Sequence, residues 1–326
     1  MSIITFNKST SDREDFLVNK SPYQIVPLHD RFFYKEYLDT LPNPEFDNKI
    51  LIHSSFTTRP FSSKQIGNKK CNDNLKGYEL IANKLRTKYI LFHGPANIDD
   101  YHNFTNGLSN IDLNIKDKII CIEIPAFSKA FIDYIKQNQI INSSSNPSNN
   151  SNQQINQSSN QPLNPYYNFI CEYLNTVTSF KPVNNQFQIV LDTAHLHSNG
   201  LNGIEIIKLC NEYLNYYDFI HMNGNIKDQF KPDIHTPIDS VNDKIKFSEY
   251  VVRNIAKLNK ICICETKDGD YEYYQELSEE YGYSIVDKNK LYAYWYYNFY
   301  LILKLNNWLI AKNWNFIYYY PKGILK

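Results

Sequence analysis

Six short apolar runs in this chain each stop at a histidine or a carboxylate. They are Lys49–His53 (KILIH), Tyr89–His93 (YILFH), Ile119–Glu123 (IICIE), Phe187–Asp192 (FQIVLD), Asp218–His221 (DFIH) and Ile261–Glu265 (ICICE). His195 follows Asp192 closely, and Asp233-Ile234-His235 adds another carboxylate–imidazole pair between the last two runs. A single histidine after a strand is commonly a hydrogen-bonded core residue. Five histidines and four carboxylates placed this way are a different matter. Gathered without compensation they would be costly in a low-dielectric interior. Divalent ions would compensate them, and imidazole with carboxylate is a typical zinc set. Nine ligands exceed what one tetrahedral ion takes; with one carboxylate bridging, they suit two or three. The alternative is a purely structural polar cluster.

Such residues converge only if the elements before them are parallel. Each run is about five residues long and rich in β-branched or aromatic side chains, as doubly buried parallel strands are. Helical stretches lie between them, such as Gly77–Thr87, Gly203–Tyr216 and Phe247–Leu258. Ser2–Phe6 and Tyr23–Pro27 supply two earlier strands. Eight β-then-α units predict an α/β fold, a (β/α)8 TIM barrel, with a doubly wound sheet as the alternative. In a barrel the strand C-termini share one face, where active sites sit. The barrel domain is expected over 1–288. Asn138 to Pro165, nearly all Asn, Ser, Gln and Pro, reads as a disordered low-complexity insertion within it. Residues 289–326 form an aromatic-rich C-terminal extension holding all three tryptophans, Trp295, Trp308 and Trp314. Packing on the barrel, stacking on unpaired bases and a partner or membrane surface are its three open readings.

Composition narrows the class. With 34 Lys plus Arg against 34 Asp plus Glu, the chain carries no formal charge, which excludes a simple polycation and an acidic tail. An apolar share of 42% excludes a wholly disordered chain. The excess of Tyr, Asn, Lys and Ile follows A/T-rich coding. The start, MSIITFNK, lacks a secretory pattern, and the longest apolar stretch, Leu291 to Leu303, is too short to span a bilayer. The six cysteines include no C-x-x-C pair and read as reduced, buried thiols. The expectation is an intracellular protein without a membrane partner and monomeric, in cytoplasm or nucleus, or in a viral factory or virion should the source be a large DNA virus.

At the ligand positions the sequence resembles the endonuclease IV family of zinc-dependent apurinic/apyrimidinic (AP) endonucleases, as a divergent member. Leu191-Asp192-Thr193-Ala194-His195 is similar to its L-D-T-x-H segment, Cys264-Glu265-Thr266 to its E-T element, His221-Met222-Asn223 to H-L-N and Asp233-Ile234-His235 to D-R-H. His53-Ser54-Ser55-Phe56 and His93-Gly94-Pro95 take the places of its two early histidine motifs, and Glu123 that of its E-N-T-A-G glutamate. The likeness covers roughly 49 to 267. It implies three Zn2+, with Mn2+ as an alternative at one site. His53 and His93 would hold the first, with Glu123 bridging to the second. Asp192, His221 and Glu265 would complete the second, and His195, Asp233 and His235 would hold the third.

The activity implied is hydrolysis of the phosphodiester 5′ to an abasic site in double-stranded DNA, within base-excision repair. Glu123 and Glu265 would be the catalytic carboxylates, Glu265 either orienting or deprotonating the attacking water or simply ligating. DNA contacts would come from Phe56, Arg59, Asn97, Lys227, Phe230 and Ile234, whose loops are otherwise ordinary solvated surface. Gly224, Ile234 and Phe56 stand where the family has Asp, Arg and Tyr, and its first-strand G-x-H-x-S element has no match in residues 1–48. Two other functions compete: a xylose-isomerase-like metal-dependent sugar isomerase or epimerase, and a non-catalytic DNA-damage-binding protein on the same scaffold. The trio His195, Asp233 and His235 favours the nuclease, since isomerases of this kind use one or two ions.

Overall fold

Residues that alternate between two apolar environments every second position form strands buried on both faces, and eight such strands build this protein. Its structure, a computed structural model, describes residues 3–8, 23–25, 50–54, 58–62, 69–107, 115, 117–144, 164–179, 186–236, 242–246 and 260–265. The barrel strands are β1 (Ile3–Lys8), β2 (Tyr23–Ile25), β3 (Ile50–His53), β4 (Tyr89–His93), β5 (Ile119–Glu123), β6 (Gln186–Asp192), β7 (Phe219–His221) and β10 (Ile261–Cys264). They pair in that order, all parallel, and β10 closes on β1 with Ile261 opposite Ile3. A two-stranded antiparallel hairpin, β8 (Gly224–Asn225) and β9 (His235–Thr236), stands apart. The expected barrel is therefore present, and the doubly wound alternative is not.

One row of side chains sets up the rest. Leu51, Leu91, Cys121, Val190, Phe219 and Ile263 pack together as a buried apolar cluster, with Ile261 among them and Tyr89 and Ile119 against it. Each of the six lies two residues before His53, His93, Glu123, Asp192, His221 or Glu265. A strand returns to the same face every second residue, so this packed floor aims the next inward position at the mouth of the barrel. The intervening residues, Ile52, Phe92, Ile122, Leu191 and Ile220, are fully buried on the opposite face.

The helices are α1 (Lys69–Lys84), α2 (Ile98–Gly107), α3 (Lys129–Ser144), α4 (Pro165–Ser179), α5 (Thr193–Ser198) and α6 (Gly203–Glu212). α1 starts earlier than the expected Gly77, because Cys71, Leu75, Tyr78 and Ala82 form a buried stripe at helical spacing through a polar stretch. It ends where Arg86 takes a positive φ of 51°. α6 opens on a capping box in which Asn202 and Glu205 each bond the other's backbone N–H. It stops at Glu212, short of the expected Tyr216, with a 3-10 turn over Leu214–Tyr216. α3 runs on to Ser144, into the Asn/Ser-rich stretch where disorder was expected from Asn138, and α4 begins at Pro165, a residue suited to a first helical turn. Residues 145–163, the expected helix Phe247–Leu258 and the extension 289–326 lie outside the described residues. Among the described residues no helix is long and apolar enough to cross a membrane.

Candidate metal centre

All nine candidate ligands come together at the C-terminal mouth of the barrel. His53, His93, Glu123, Asp192 and His221 are the last residues of β3 to β7, and Glu265 follows β10 directly. His195 sits in α5, whose N-cap is Asp192: its Oδ1 accepts from the N–H groups of Ala194 and His195 at 2.8 and 3.0 Å. One strand end thus supplies a ligand and launches the short helix carrying the next. Asp233 and His235 arrive from outside the barrel on the β8–β9 hairpin. Asn225 organises that hairpin, accepting on Oδ1 from the N–H of Lys227 and of Ile234 and donating its own N–H to Asp243.

Glu123 is the hub. Its fully buried carboxylate places Oε2 3.4 Å from His53 Nε2 and 3.3 Å from His93 Nε2. Oε1 lies 3.2 Å from both His195 Nδ1 and His221 Nδ1. His221 Nδ1 also faces Asp192 Oδ2 at 3.6 Å and Glu265 Oε2 at 3.5 Å. At the outer end, Asp233 Oδ2 is 2.9 Å from His235 Nε2 and 3.6 Å from His195 Nε2, with Asp192 Oδ2 3.8 Å from His235 Nε2. Ligand atoms about 2.0–2.1 Å from a tetrahedral ion lie about 3.3 Å from one another. Most of these separations fall near that edge length and exceed a good hydrogen bond. Among the described residues, three overlapping groups have donor atoms all within 4.8 Å of one another: His53, Glu123 and His221; Glu123, Asp192, His221 and Glu265; and Asp192, His195 and His235.

The grouping redraws the expected partition: His93 and Asp233 fall outside the three groups, and His221 joins His53 and Glu123 in the first. Asp192 faces His195 and His235 as well as His221, so its carboxylate sits between the second and third sets just as Glu123 sits between the first and second.

The surrounding hydrogen bonds settle which nitrogen of most rings faces inward. His53 Nδ1–H donates to the Ser54 carbonyl at 2.6 Å, leaving the Nε2 lone pair toward Glu123. His195 Nδ1–H donates to the Ile124 carbonyl at 2.9 Å and His235 Nδ1–H to the Glu265 carbonyl at 3.2 Å, so both present Nε2 toward Asp233. His221 is reversed. Its Nε2–H donates to Gln24 Oε1 at 2.7 Å, leaving Nδ1 toward Glu123, Asp192 and Glu265. Fixing a ring through its outer N–H while the inner lone pair stays free is how proteins prepare histidines for metal. Among the described residues, the buried Glu123 Oε2 makes no hydrogen bond. An unprotonated carboxylate oxygen facing the His53 Nε2 lone pair repels it unless a cation lies between. The donor set therefore fits divalent ions.

The electrostatics agree. Burial opposes charge at His195, yet Asp192, Glu123 and Asp233 outweigh it and hold its pKa well above the usual value. Burial is likewise overcome at His221 by Glu265, Glu123 and Asp192. His235 is raised to about 9 by Asp192, Asp233 and Glu265 against its own desolvation. Burial would raise the carboxyls of Glu123, Asp192 and Asp233, but the neighbouring imidazoles hold all three below their usual values. His93 goes the other way: desolvation takes it down to about 3, so its imidazole stays neutral and ready to ligate. Protons on three histidines balance the carboxylates where metal would do so.

The expected DNA contacts divide. Arg59 and Lys227 are exposed, and Ile226, Phe230 and Ile234 leave 37%, 42% and 46% of their surfaces in solvent on the hairpin that carries Asp233 and His235. The Phe230 ring packs on Tyr166 at 4.9 Å, and a Cβ on Gly200 would meet it at 2.6 Å. Asn97 has local work: its Oδ1 accepts from the Asp100 N–H and its Nδ2 donates to the Asp100 carboxylate, capping α2. Phe56 lies outside the described residues.

Sequence reasoning missed the buried amides around the ligands. Gln24, in β2, reaches both His221 and Glu265. Asn223 donates to Asp192 Oδ2 at 3.1 Å and accepts from the Glu265 N–H at 2.8 Å. The only signal was a glutamine within an otherwise apolar strand and an asparagine directly after a ligand strand. His197 is buried beside Asn225, and desolvation lowers its pKa.

No protein-family model matches this chain, and no curated protein matches it. Solved structures do. Endonuclease IV from Thermus thermophilus superposes with a TM-score of 0.50 at 11% identity, covering 85% of this chain and 99% of that one. A xylose isomerase domain protein from Planctomyces limnophilus gives a TM-score of 0.50 at 10% identity, covering 86% and 95%. SacUVDE follows with a TM-score of 0.47 at 12% identity, covering 86% and 99%. The first two likenesses establish the fold.

Proposed function

We propose that this protein is a metal-dependent phosphodiesterase of the AP endonuclease type, cutting duplex DNA on the 5′ side of abasic sites. The observation that carries the reading is the outer trio. His195, Asp233 and His235 converge beyond the sets gathered around Glu123, and Asp192 faces both groups. One or two ions suffice to move a proton on a sugar, whereas a third is what in-line displacement at phosphorus would use. The endonuclease IV likeness is consistent with this, although the isomerase-domain likeness is equally close at the level of fold.

His53, His93 and Glu123 would hold the first ion, Glu123, Asp192, His221 and Glu265 the second, and Asp192, His195, Asp233 and His235 the third. Divalent ions there would supply hydroxide from bound water at neutral pH and positive charge against the phosphate. The chain's own groups do the rest. Glu123 and Asp192 fix the spacing of the sets. Neutral His93 offers a lone pair without a proton to remove. Phe230 and Ile234, exposed beside the trio, offer apolar surface against which an opened base stack could rest. An abasic nucleotide suits such a site because leaving the stack costs least when the base is missing.

The test is metal content per chain followed by incubation with a duplex carrying one abasic-site analogue. Two or three zinc ions and a single cut 5′ to the analogue are expected. Fewer than two ions, or intact DNA where a control nuclease cuts, would remove the proposal. Turnover of a ketose–aldose pair without incision would favour the isomerase.

A further inference from the structure

We propose that Gln24 is a positioning residue for the metal centre, a single amide that orients His221 and Glu265 together. The assignment rests on reading the cluster as a metal centre, and not on which bond the protein cuts. Gln24 is fully buried in β2. Its Oε1 accepts from His221 Nε2–H at 2.7 Å, and its Nε2 donates to Glu265 Oε1 at 2.6 Å. The order of the amide is set by its neighbours. Reversed, it would turn an oxygen onto a carboxylate oxygen and an NH2 group onto an N–H.

Two consequences follow for the ligands. His221 keeps its Nε2 proton, so the proton that a metal would displace is the one on Nδ1, the nitrogen that faces Glu123, Asp192 and Glu265. Glu265 has Oε1 occupied, and its free Oε2 lies 3.5 Å from His221 Nδ1 and 3.8 Å from His235 Nδ1. The Glu265 N–H donates to Asn223 Oδ1, which anchors its backbone as well. A carboxylate held at both its backbone and one oxygen is shaped to ligate with the other oxygen. It is poorly placed to swing toward a water as a base. Gln24 thereby decides between the two roles open to Glu265, in favour of ligation.

The experiment uses the whole chain, stripped with chelator and reloaded with Zn2+ or Co2+ alone. Gln24→Leu removes both hydrogen bonds. Gln24→Glu keeps an acceptor for His221 but sets a carboxylate against Glu265, and it serves should the leucine variant fail to fold. Each is expected to bind one ion about 10–100-fold more weakly while the remaining ions keep their affinity. The visible spectrum of bound Co2+ should change, and the melting temperature without metal should fall by a few degrees at most, by the loss of two hydrogen bonds. Unchanged Zn2+ affinity and Co2+ spectrum in both variants would overturn the assignment. So would a uniform loss of all ions with a metal-free melting temperature lowered by more than a few degrees, which marks a packing residue. A parent protein that binds Zn2+ but leaves abasic DNA intact would sink the nuclease reading, and weakened binding in the variants would still support Gln24.

Discussion

Replacing Glu123 by Gln tests the centre at its hub with almost no change of shape. In the metal-free chain at pH 6, the Glu123 carboxylate lies 3.2 Å from the imidazoles of His195 and His221, both held protonated by surrounding carboxylates. At an effective dielectric of about 20, one such pair is worth roughly 5 kcal/mol before desolvation. Desolvation of the buried ions takes back several kcal/mol each, and removing one partner of a buried pair costs about 3–5 kcal/mol net. For a chain of this size, at about 2 °C per kcal/mol, the metal-free melting temperature should fall by roughly 6–10 °C. The same variant keeps one oxygen and carries NH2 in place of the other, so it can offer a ligand atom toward His53 and His93 or toward His195 and His221, but not toward both. Zinc affinity should therefore fall by more than the roughly 100-fold typical of losing an outer partner, with at least one ion missing. Thermal melts in chelator at pH 6, and competition against a zinc indicator, measure the two effects separately. A variant that melts like the parent and takes up the same number of ions would refute the reasoning.

Three further outcomes are expected. The metal-free chain should lose stability as pH rises from about 6.5, where an unfolded histidine loses its proton, through about 9, where His235 loses it in the fold, while zinc affinity rises over the same interval because the ligands must deprotonate; melts with and without zinc from pH 6 to 9 would show the two curves diverging. On the acid side, Glu123, Asp192 and Asp233, with depressed pKa values, and His93, buried neutral at about 3, all withdraw stability as pH falls, so acid should unfold the metal-free chain steadily. Asp233→Asn should cost one ion of the set and leave the others, read by metal analysis after dialysis, since among the described residues Asp233 pairs with His195 and His235. Gly94→Ala should destabilise by about 1–3 kcal/mol by overpacking, measured by denaturant titration, because its Cβ would strike the buried Tyr173 hydroxyl and come within 3.0 Å of the Glu123 carbonyl.

Much of the centre was legible because its rule is local. A candidate ligand that ends a doubly apolar strand is written in five consecutive letters, and His53, His93, Glu123, Asp192 and His221 all obey it. Asp233 and His235 could be seen only as a pair with the right chemistry; nothing nearby in sequence says that the Asn225 turn folds them back onto the barrel mouth. Gln24 was unreadable for a different reason. Its partners lie 197 and 241 positions away, and no local spacing encodes a contact of that range. The start of α1 was missed because its buried stripe is interrupted by Lys, Asn and Asp, which hide the apolar period. Asn97 reads the same in a loop whether it grips a ligand or caps a helix, and only the bonds to Asp100 decide.

The two-residue phasing between the barrel floor and the ligands has a consequence for errors of assembly. A slip of one residue in β4 would bring Phe92 or Gly94 to the centre and turn His93 outward against the helices. No partial version of the mistake exists, because inward and outward positions alternate strictly. A mispaired strand would therefore forfeit its ligand and its place in the floor at once. Fidelity of strand pairing and the geometry of the candidate centre are checked by the same step of the chain, so a molecule that took up ions at the proposed centre would have passed that check on every strand that ends in a candidate ligand.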